Sequence, residues 1–286
     1  FVARPKGEGN PDVVFINHQG RQKTETVDIS IYPGEADGYS ETRRQDLPGF
    51  GAVCALCCDF DDDGRVDLAL VNSAHNTPSR DPGSFIYRND DGFSAPPTWI
   101  LPTDLPHGAC CADFDRDGYL DLVFGCASNA EIQIFHGGPD GFEMEPERIR
   151  LGEDYTCSLF IYAADLNNDG WLDLILPQSK TDRSIVLWGG PGGYSFDQCQ
   201  LLSVWKAICA RTADLTGNGY LDLILGSGPP SVGEPHDCFV TIYWNGPEGL
   251  REDNRTLLPA NGVDSVAIGD FDNDGLLDLF VPSYSD

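Results

Sequence analysis

Residues 59–71 read DFDDDGRVDLALV, an acidic run that ends in a glycine and leads into an apolar segment. The pattern returns as DFDRDGYLDLVFG from Asp113, DLNNDGWLDLILP from Asp165, DLTGNGYLDLILG from Asp214 and DFDNDGLLDLFVP from Asp270. Successive starts are 54, 52, 49 and 56 residues apart. An eroded copy at the front aligns Asp12 with Asp67 and Gly9 with Gly64. Self-similarity at this period indicates a repeat architecture.

A second element lies between the acidic copies. It reads ISIYPGEADGYS, SFIYRNDDGFS, IQIFHGGPDGFE, IVLWGGPGGYS and VTIYWNGPEGL. Each period therefore predicts four short strands, because its apolar or alternating runs are bounded by Gly, Pro and Asp. Strand A precedes the acidic loop, strand B is the LDLxL run, strand C is the IxIY run, and strand D follows the glycine turn.

Four-stranded units repeated at this period are typical of β-propeller blades. The sequence predicts an all-β propeller with five full repeats plus an extra A–B hairpin, and six or seven blades in a complete ring. We expect a single domain over residues 1–286. The approximate blades are 1–50, 51–105, 106–153, 154–203 and 204–259, with a partial one at 260–286.

Composition narrows the class of protein. The 286 residues carry 46 acidic and 18 basic side chains, a formal net charge of −28. Nucleic acid is therefore an unsuitable partner, since phosphate binding depends on Lys and Arg. No apolar run approaches the ~18 residues of a membrane-spanning helix. Many of the 10 cysteines precede acidic loops, where other repeats have small or aliphatic residues, which favours buried apolar cysteines over disulfides.

The acidic copies have the spacing of calcium loops. In D-x-[D/N]-x-[D/N]-G-x-x-D, positions 1, 3, 5 and 9 offer side-chain oxygens and position 7 a backbone carbonyl, and calcium takes six to eight such oxygens. We refer to residues 59–67, 113–121, 165–173, 214–222 and 270–278 as the first to fifth loops. The candidate ligands are Asp59, Asp61, Asp63, Arg65, Asp67; Asp113, Asp115, Asp117, Tyr119, Asp121; Asp165, Asn167, Asp169, Trp171, Asp173; Asp214, Thr216, Asn218, Tyr220, Asp222; and Asp270, Asp272, Asp274, Leu276, Asp278.

The loops are not equal. The fourth has only two carboxylates, so we expect four strong Ca²⁺ sites and a weaker fifth one at Asp214–Asp222. The front copy offers Arg4, Lys6 and Glu8 in place of acids and is expected to bind no calcium. An EF-hand is disfavoured because position 12 is apolar. The alternative that the aspartates only form Asx turns stays open.

Together, the loops, the strand after them and the glycine–aromatic turn resemble FG-GAP and VCBS-type repeats, as in the propeller of integrin α subunits. The resemblance covers essentially the whole chain. It implies structural calcium in the A–B loops, and ligand contacts from the B–C and D–A loops on the opposite face. The expected function is an extracellular, cell-surface or periplasmic binding or adhesion module for glycan or protein, and not an enzyme. The alternatives are a propeller-type polysaccharide lyase and an assembly component of a larger surface protein.

Polar and aromatic residues of the B–C and D–A segments are the candidate ligand contacts. Most are in long B–C loops, and His107 is expected in a D–A loop. Such residues also favour exposed loops without any function. The candidates are His18, His75, Arg80, His107, Arg183, Trp205 and His236.

Overall fold

The computed structural model describes residues 2–3, 10–18, 27–73, 82–90, 92–126, 129–156, 160–228 and 238–282. These residues form antiparallel sheets and two three-residue 3₁₀ helices, Glu41–Arg43 and Phe196–Gln198. No helix among them is long and apolar enough to cross a membrane. The all-β prediction is confirmed. The chain divides into two compact units, Phe1–Arg148 and Ile149–Asp286.

The first unit contains three four-stranded sheets, in which the strands follow one another in chain order. Sheet 1 consists of β1 (Val2–Ala3), β2 (Asp12–Phe15), β3 (Ile29–Tyr32) and β4 (Gln45–Leu47). Sheet 2 consists of β5 (Ala52–Cys58), β6 (Asp67–Asn72), β7 (Ser84–Tyr87) and β8 (Trp99–Leu101). Sheet 3 consists of β9 (Pro106–Ala112), β10 (Asp121–Cys126), β11 (Glu131–Phe135) and β12 (Glu147–Arg150), and the division into units falls within β12.

The second unit contains two four-stranded sheets and a hairpin. Sheet 4 consists of β13 (Tyr162–Ala164), β14 (Asp173–Leu176), β15 (Arg183–Leu187) and β16 (Gln200–Ser203). Sheet 5 consists of β17 (Ala207–Ala213), β18 (Asp222–Ser227), β19 (Cys238–Tyr243) and β20 (Arg255–Ala260). Sheet 6 consists of β21 (Ala267–Gly269) and β22 (Asp278–Phe280). Every four-stranded sheet has the predicted order A, B, C, D; a closed ring and its blade number stay predictions.

Successive sheets pack against each other within each unit. In the first unit, Ile31 of sheet 1 and Leu70 of sheet 2 share one apolar cluster, and Val71 of sheet 2 and Phe124 of sheet 3 share another. In the second unit, sheets 4 and 5 share a cluster, as do sheets 5 and 6. Strands β6, β10, β14 and β18 are buried along their whole length. Their continuous LDLxL runs are therefore apolar because both faces of strand B are covered.

Sheet 6 leaves apolar side chains exposed that the other repeats bury. Phe280 is 61% exposed, whereas Ala69, at the same repeat position in sheet 2, is 1% exposed. Phe271 is 57% exposed, whereas Phe60 is 4% exposed. The difference arises because the hairpin lacks neighbouring strands C and D among the described residues.

The cysteines before the acidic loops lie where the sequence predicts, in strands of type A. Cys54, Cys58 and Cys111 pack against the apolar cluster shared by sheets 2 and 3, and Cys209 packs in the cluster of sheets 5 and 6. No disulfide joins any of the nine cysteines that the structure describes. These thiols act as small apolar side chains in the packing between sheets.

Candidate metal centre

All five acidic loops have the same local geometry. In the first loop, Asp59 accepts the N–H of Asp63 at Oδ1 and that of Gly64 at Oδ2, at 3.1 and 2.8 Å. Asp63 Oδ1 accepts the N–H of Arg65 at 2.8 Å. The equivalent bonds recur at Asp113 and Asp117, Asp165 and Asp169, Asp214 and Asn218, and Asp270 and Asp274.

Two residues of each loop adopt left-handed backbone conformations. Position 6 is always glycine, with φ of 83° at Gly64 and 85° at Gly219. Position 4 also has a positive φ, 57° at Asp62, 64° at Arg116 and 72° at Gly217. Glycine adopts this region without the penalty that a Cβ brings, so the invariant glycine of the motif follows from the turn itself. The backbone thereby curls around the side-chain oxygens of positions 1, 3 and 5.

The closing aspartate at position 9 has a role that the sequence analysis missed. Asp173 is fully buried, and its Oδ2 accepts the N–H of Leu166 while its Oδ1 accepts that of Gly189, both at 2.9 Å. It thus connects the start of its loop to the turn after strand C. Asp67, Asp121 and Asp222 make the same pair of bonds. Each carboxylate oxygen can accept more than one bond, so this role is compatible with metal ligation.

The turn after strand C is close to the loop for a topological reason. In a sheet of order A, B, C, D, the A–B and C–D connections lie at one end, and the B–C and D–A connections at the other. The closing aspartate holds the two connections together so tightly that a Cβ on Gly189 would lie 2.2 Å from the Leu172 carbonyl oxygen. Side chains of the C–D turn can therefore reach the acidic loop.

In two loops the C–D turn brings a basic side chain to the aspartate at position 3. Arg88, the residue after β7, forms ion pairs with Asp61 and Asp90. His136, the residue after β11, places Nδ1 3.4 Å from Asp115 Oδ2 and 3.4 Å from Asp121 Oδ1. The position directly after the strand C aromatic was the available sequence signal for these residues.

Burial and charge both affect the ionisation of the loops. Burial raises the pKa of Asp67 and of Asp173 to about 6, although backbone N–H bonds oppose the rise. Burial also raises the pKa of Asp61 and Asp115. The carboxylates of Asp121 and Glu147 raise the pKa of His136 to about 10, so its imidazole is cationic at neutral pH.

Several of the predicted ligands converge into compact groups. Within the described residues, groups of three ligand atoms lie within 4.8 Å of one another at Asp59, Asp61, Asp67; Asp61, Asp63, Asp90; Asp113, Asp115, Asp117; Asp115, Asp121, His136; and Asp270, Asp272, Asp278. Both Asp61 oxygens are shielded from solvent, and the charged partner of this carboxylate is the Arg88 guanidinium. A shielded carboxylate beside three other acids of the loop fits a hard cation that takes oxygen ligands.

The third and fourth loops replace some acids with neutral groups. Asn167 occupies position 3 of the third loop, and its Nδ2 donates to Asp169 Oδ2 at 3.0 Å. Thr216 and Asn218 occupy positions 3 and 5 of the fourth loop. The Nδ2 of Asn218 donates to the Asn245 carbonyl at 2.8 Å, so this amide is held by the C–D turn. Hydrogen bonds to the backbone, led by that from Gly219, lower the pKa of Asp214.

The aromatic residues at position 7 are half-buried against the C–D turn. The Cβ atoms of Tyr119 and Trp171 lie beside Gly137 and Gly189, where an added glycine Cβ would be 3.3 Å away. This placement favours a covering role for these side chains. The front copy keeps the closing aspartate, since Asp12 Oδ1 accepts the N–H of Gly34 at 2.8 Å. Arg4, Lys6 and Glu8 lie outside the described residues.

The candidate ligand contacts lie at the opposite end of the sheets, where they can be placed. His18 is exposed, with Nδ1 3.0 Å from the Gly51 carbonyl. Arg183 begins β15, and Trp205, 46% exposed, lies in the following D–A connection. His107 is the second residue of β9 instead of a loop residue, because strand A begins at Pro106. His75, Arg80 and His236 lie outside the described residues.

Comparison with known proteins agrees with this repeat structure. A sequence model described as an FG-GAP-like repeat matches residues 59–124, 113–176 and 214–281, well over half of the chain. Integrin alpha-5 of Xenopus laevis is 26% identical over 157 residues, 46% of this chain. The chain covers only 15% of the length of that integrin.

Two solved structures resemble the chain at low sequence identity. BBS1N, crystallised in complex with ARL6DN, is 13% identical with a TM-score of 0.43, over 100% of this chain and 92% of that one. The V. cholerae biofilm matrix protein Bap1 is 14% identical with a TM-score of 0.45, over 91% of this chain and 42% of that one.

Proposed function

Since the chain belongs to the FG-GAP-like repeat family, we propose that it is a calcium-stabilised β-propeller that binds ligands outside the cell. The observation that carries this proposal is the recurrence of one loop geometry in all five acidic copies. In the proposed ring of six or seven blades, calcium is structural, and the molecule acts as an adhesion or recognition module without catalysis.

The loops supply the chemistry that a calcium site needs. Positions 1, 3, 5 and 9 offer up to four carboxylates per loop, and the position 7 carbonyl adds a neutral oxygen. Calcium would supply the positive charge that allows these acids to lie close together. We propose ligation by all of the predicted residues, including the position 7 carbonyls of Arg65, Tyr119, Trp171, Tyr220 and Leu276.

The ligand is proposed to contact the B–C and D–A connections. Trp205 presents an exposed ring, with Lys206 Nζ 4.9 Å from its centre, and Arg183 lies opposite Ser203 in the register of β15 and β16. An exposed aromatic next to cationic groups suits a protein surface or an acidic glycan. The similarity to an integrin supports a protein ligand. Because the chain has a net charge of −28, an acidic ligand would be repelled by most of the surface and would favour these local basic groups.

Calcium dependence tests the proposal. We expect chelation to lower the melting temperature strongly, since each site contributes about 2.7 kcal/mol at a hundredfold excess over Kd. Each loop has its own reporter in NMR, the amide of the position 6 glycine: Gly64, Gly118, Gly170, Gly219 and Gly275. Asp61→Asn is the matched variant, because it removes one negative charge and keeps a side-chain oxygen that can accept the Asp63 N–H. It should abolish the calcium response of Gly64 while leaving the other four.

The binding role is tested on glycan and protein arrays with the calcium-loaded chain. Retention that disappears with chelator is the expected result. A melting temperature indifferent to chelator, with all five glycine amides unmoved, would refute the calcium assignment. Turnover of an acidic polysaccharide by the purified chain would refute the non-enzymatic role and restore the lyase alternative.

A further inference from the structure

In the four-stranded sheets that carry a complete acidic loop, the residue directly after strand C differs between the two units. It is Arg88 in sheet 2 and His136 in sheet 3, but Trp188 in sheet 4 and Trp244 in sheet 5. Trp188 packs against an apolar cluster, and the indole N–H of Trp244 donates to Thr256 Oγ1 at 2.9 Å. Among the sheets with a described strand C, this position therefore brings a cation to an acidic loop only in the first unit.

Arg88 is placed against a predicted ligand of the first loop. Its Nη2 pairs with Asp61, whose side chain is 15% exposed, and lies 3.0 Å from Asp90 Oδ1. Within the loop, the backbone N–H of Asp63 also acts on this carboxylate. The Arg88 guanidinium is thus the cationic partner of Asp61. By its position in the motif, this carboxylate would face the metal.

A guanidinium and a calcium ion compete for the same carboxylate. Arginine stays protonated at all relevant pH values and has no lone pair to offer a metal. The Arg88 guanidinium and a calcium ion cannot both contact the Asp61 carboxylate without repelling each other. Hence the contact that stabilises the metal-free loop has to be broken or weakened when the ion enters.

We propose that Arg88 is a built-in competitor of calcium at the first loop, which stabilises the metal-free loop and lowers its affinity for the ion. The inference rests on the proposed calcium role of the loops. When Arg88 leaves Asp61, its ion pair with Asp90 is also released. A carboxylate oxygen of Asp90 lies within 4.8 Å of one of Asp61 and one of Asp63. Because the ion has to displace Arg88 from Asp61, the first loop binds calcium less tightly than its four carboxylates suggest.

The test is a calcium titration of the full chain by NMR, with Gly64 reporting the first loop and Gly275 the fifth. Arg88→Gln should lower the Kd at Gly64 by about tenfold, as expected for loss of one charge-assisted contact. Arg88→Lys keeps the charge and should stay near the wild-type Kd. Arg44→Gln is the matched control, since Arg44 pairs with Glu41 of the 3₁₀ helix and Asp46 of β4, in the repeat that has no complete acidic loop.

A second measurement keeps the proposal testable if Arg88→Gln is unstable without calcium. The gain in melting temperature from chelator to calcium should be larger in Arg88→Gln than in the wild type. An unchanged or weaker first site in Arg88→Gln, with calcium still binding the wild type, would overturn the inference alone. Failure of calcium to bind the wild-type chain would overturn the proposed function as well.

Discussion

Four of the five acidic loops have a reduced negative charge, and the two units reduce it by different routes. The first and second loops keep four carboxylates each and receive a basic side chain from the C–D turn, Arg88 or His136. The third and fourth loops have no such cation at that position and instead replace acids within the motif, at Asn167, Thr216 and Asn218. The fifth loop has four carboxylates, with no basic partner among the described residues.

This difference shows that the number of acids in the motif does not by itself rank the sites. A carboxylate already paired with an arginine contributes less attraction for calcium than a free one. The sequence predicts four strong sites and one weak site. The surroundings of the loops lead us to expect a finer order, with the first two loops weaker than the fifth.

The largest expected effect is on the free energy of unfolding, and it distinguishes the structural role of Asp173 in the third loop from metal binding. Asp173→Asn should lower the free energy of unfolding by about 2–3 kcal/mol even in chelator, because an amide N–H₂ would face a buried backbone N–H. Asp169→Asn keeps the acceptor for the Trp171 N–H and loses the exposed bond from Asn167, so it should change the chelated stability by less than about 0.5 kcal/mol. Urea unfolding in chelator measures both. Equal losses would contradict the structural role of position 9.

A smaller effect is expected from restoring an acid to the fourth loop. Thr216→Asp gives this loop the position 3 carboxylate of the first loop, and Trp244 places no cation there to oppose it. The Kd at Gly219 should fall about tenfold, equal to ~1.4 kcal/mol. Thr42→Asp, at an exposed site in the 3₁₀ helix Glu41–Arg43, controls for net charge. A similar response in both variants would mean that only the overall field matters.

The smallest effect concerns the second loop. His136 shares its charge among Asp115, Asp121 and Glu147, so its removal should change the loop less than loss of Arg88. His136→Gln is expected to tighten calcium at Gly118 about threefold, or ~0.6 kcal/mol. The same NMR titration measures it. A weaker second site would show instead that the imidazole helps to hold the ion.

The sequence predicts the repeating strands, but it does not predict the side-chain contacts around the acidic loops. The LDLxL and IxIY runs predict strands B and C because burial on both faces requires unbroken apolar segments. The pairing of Cys58 with Asp67 in register, and its equivalents, follows from the tight loop between them. Arg88 and Asp61, however, are far apart along the chain, and only the return of strand C to the same end of the sheet brings them together.

The front repeat shows what the closing aspartate means for recognising such chains. Asp12 keeps its bond to Gly34, although the motif before it lacks the acids of a cation loop. The two parts of the motif therefore carry separate information. The closing aspartate and the apolar run after it indicate a folded blade, whereas the alternating acids before it indicate a bound ion. A search profile that scores them separately would count blades that have lost their metal, and would not overcount ions in chains that have kept only the scaffold.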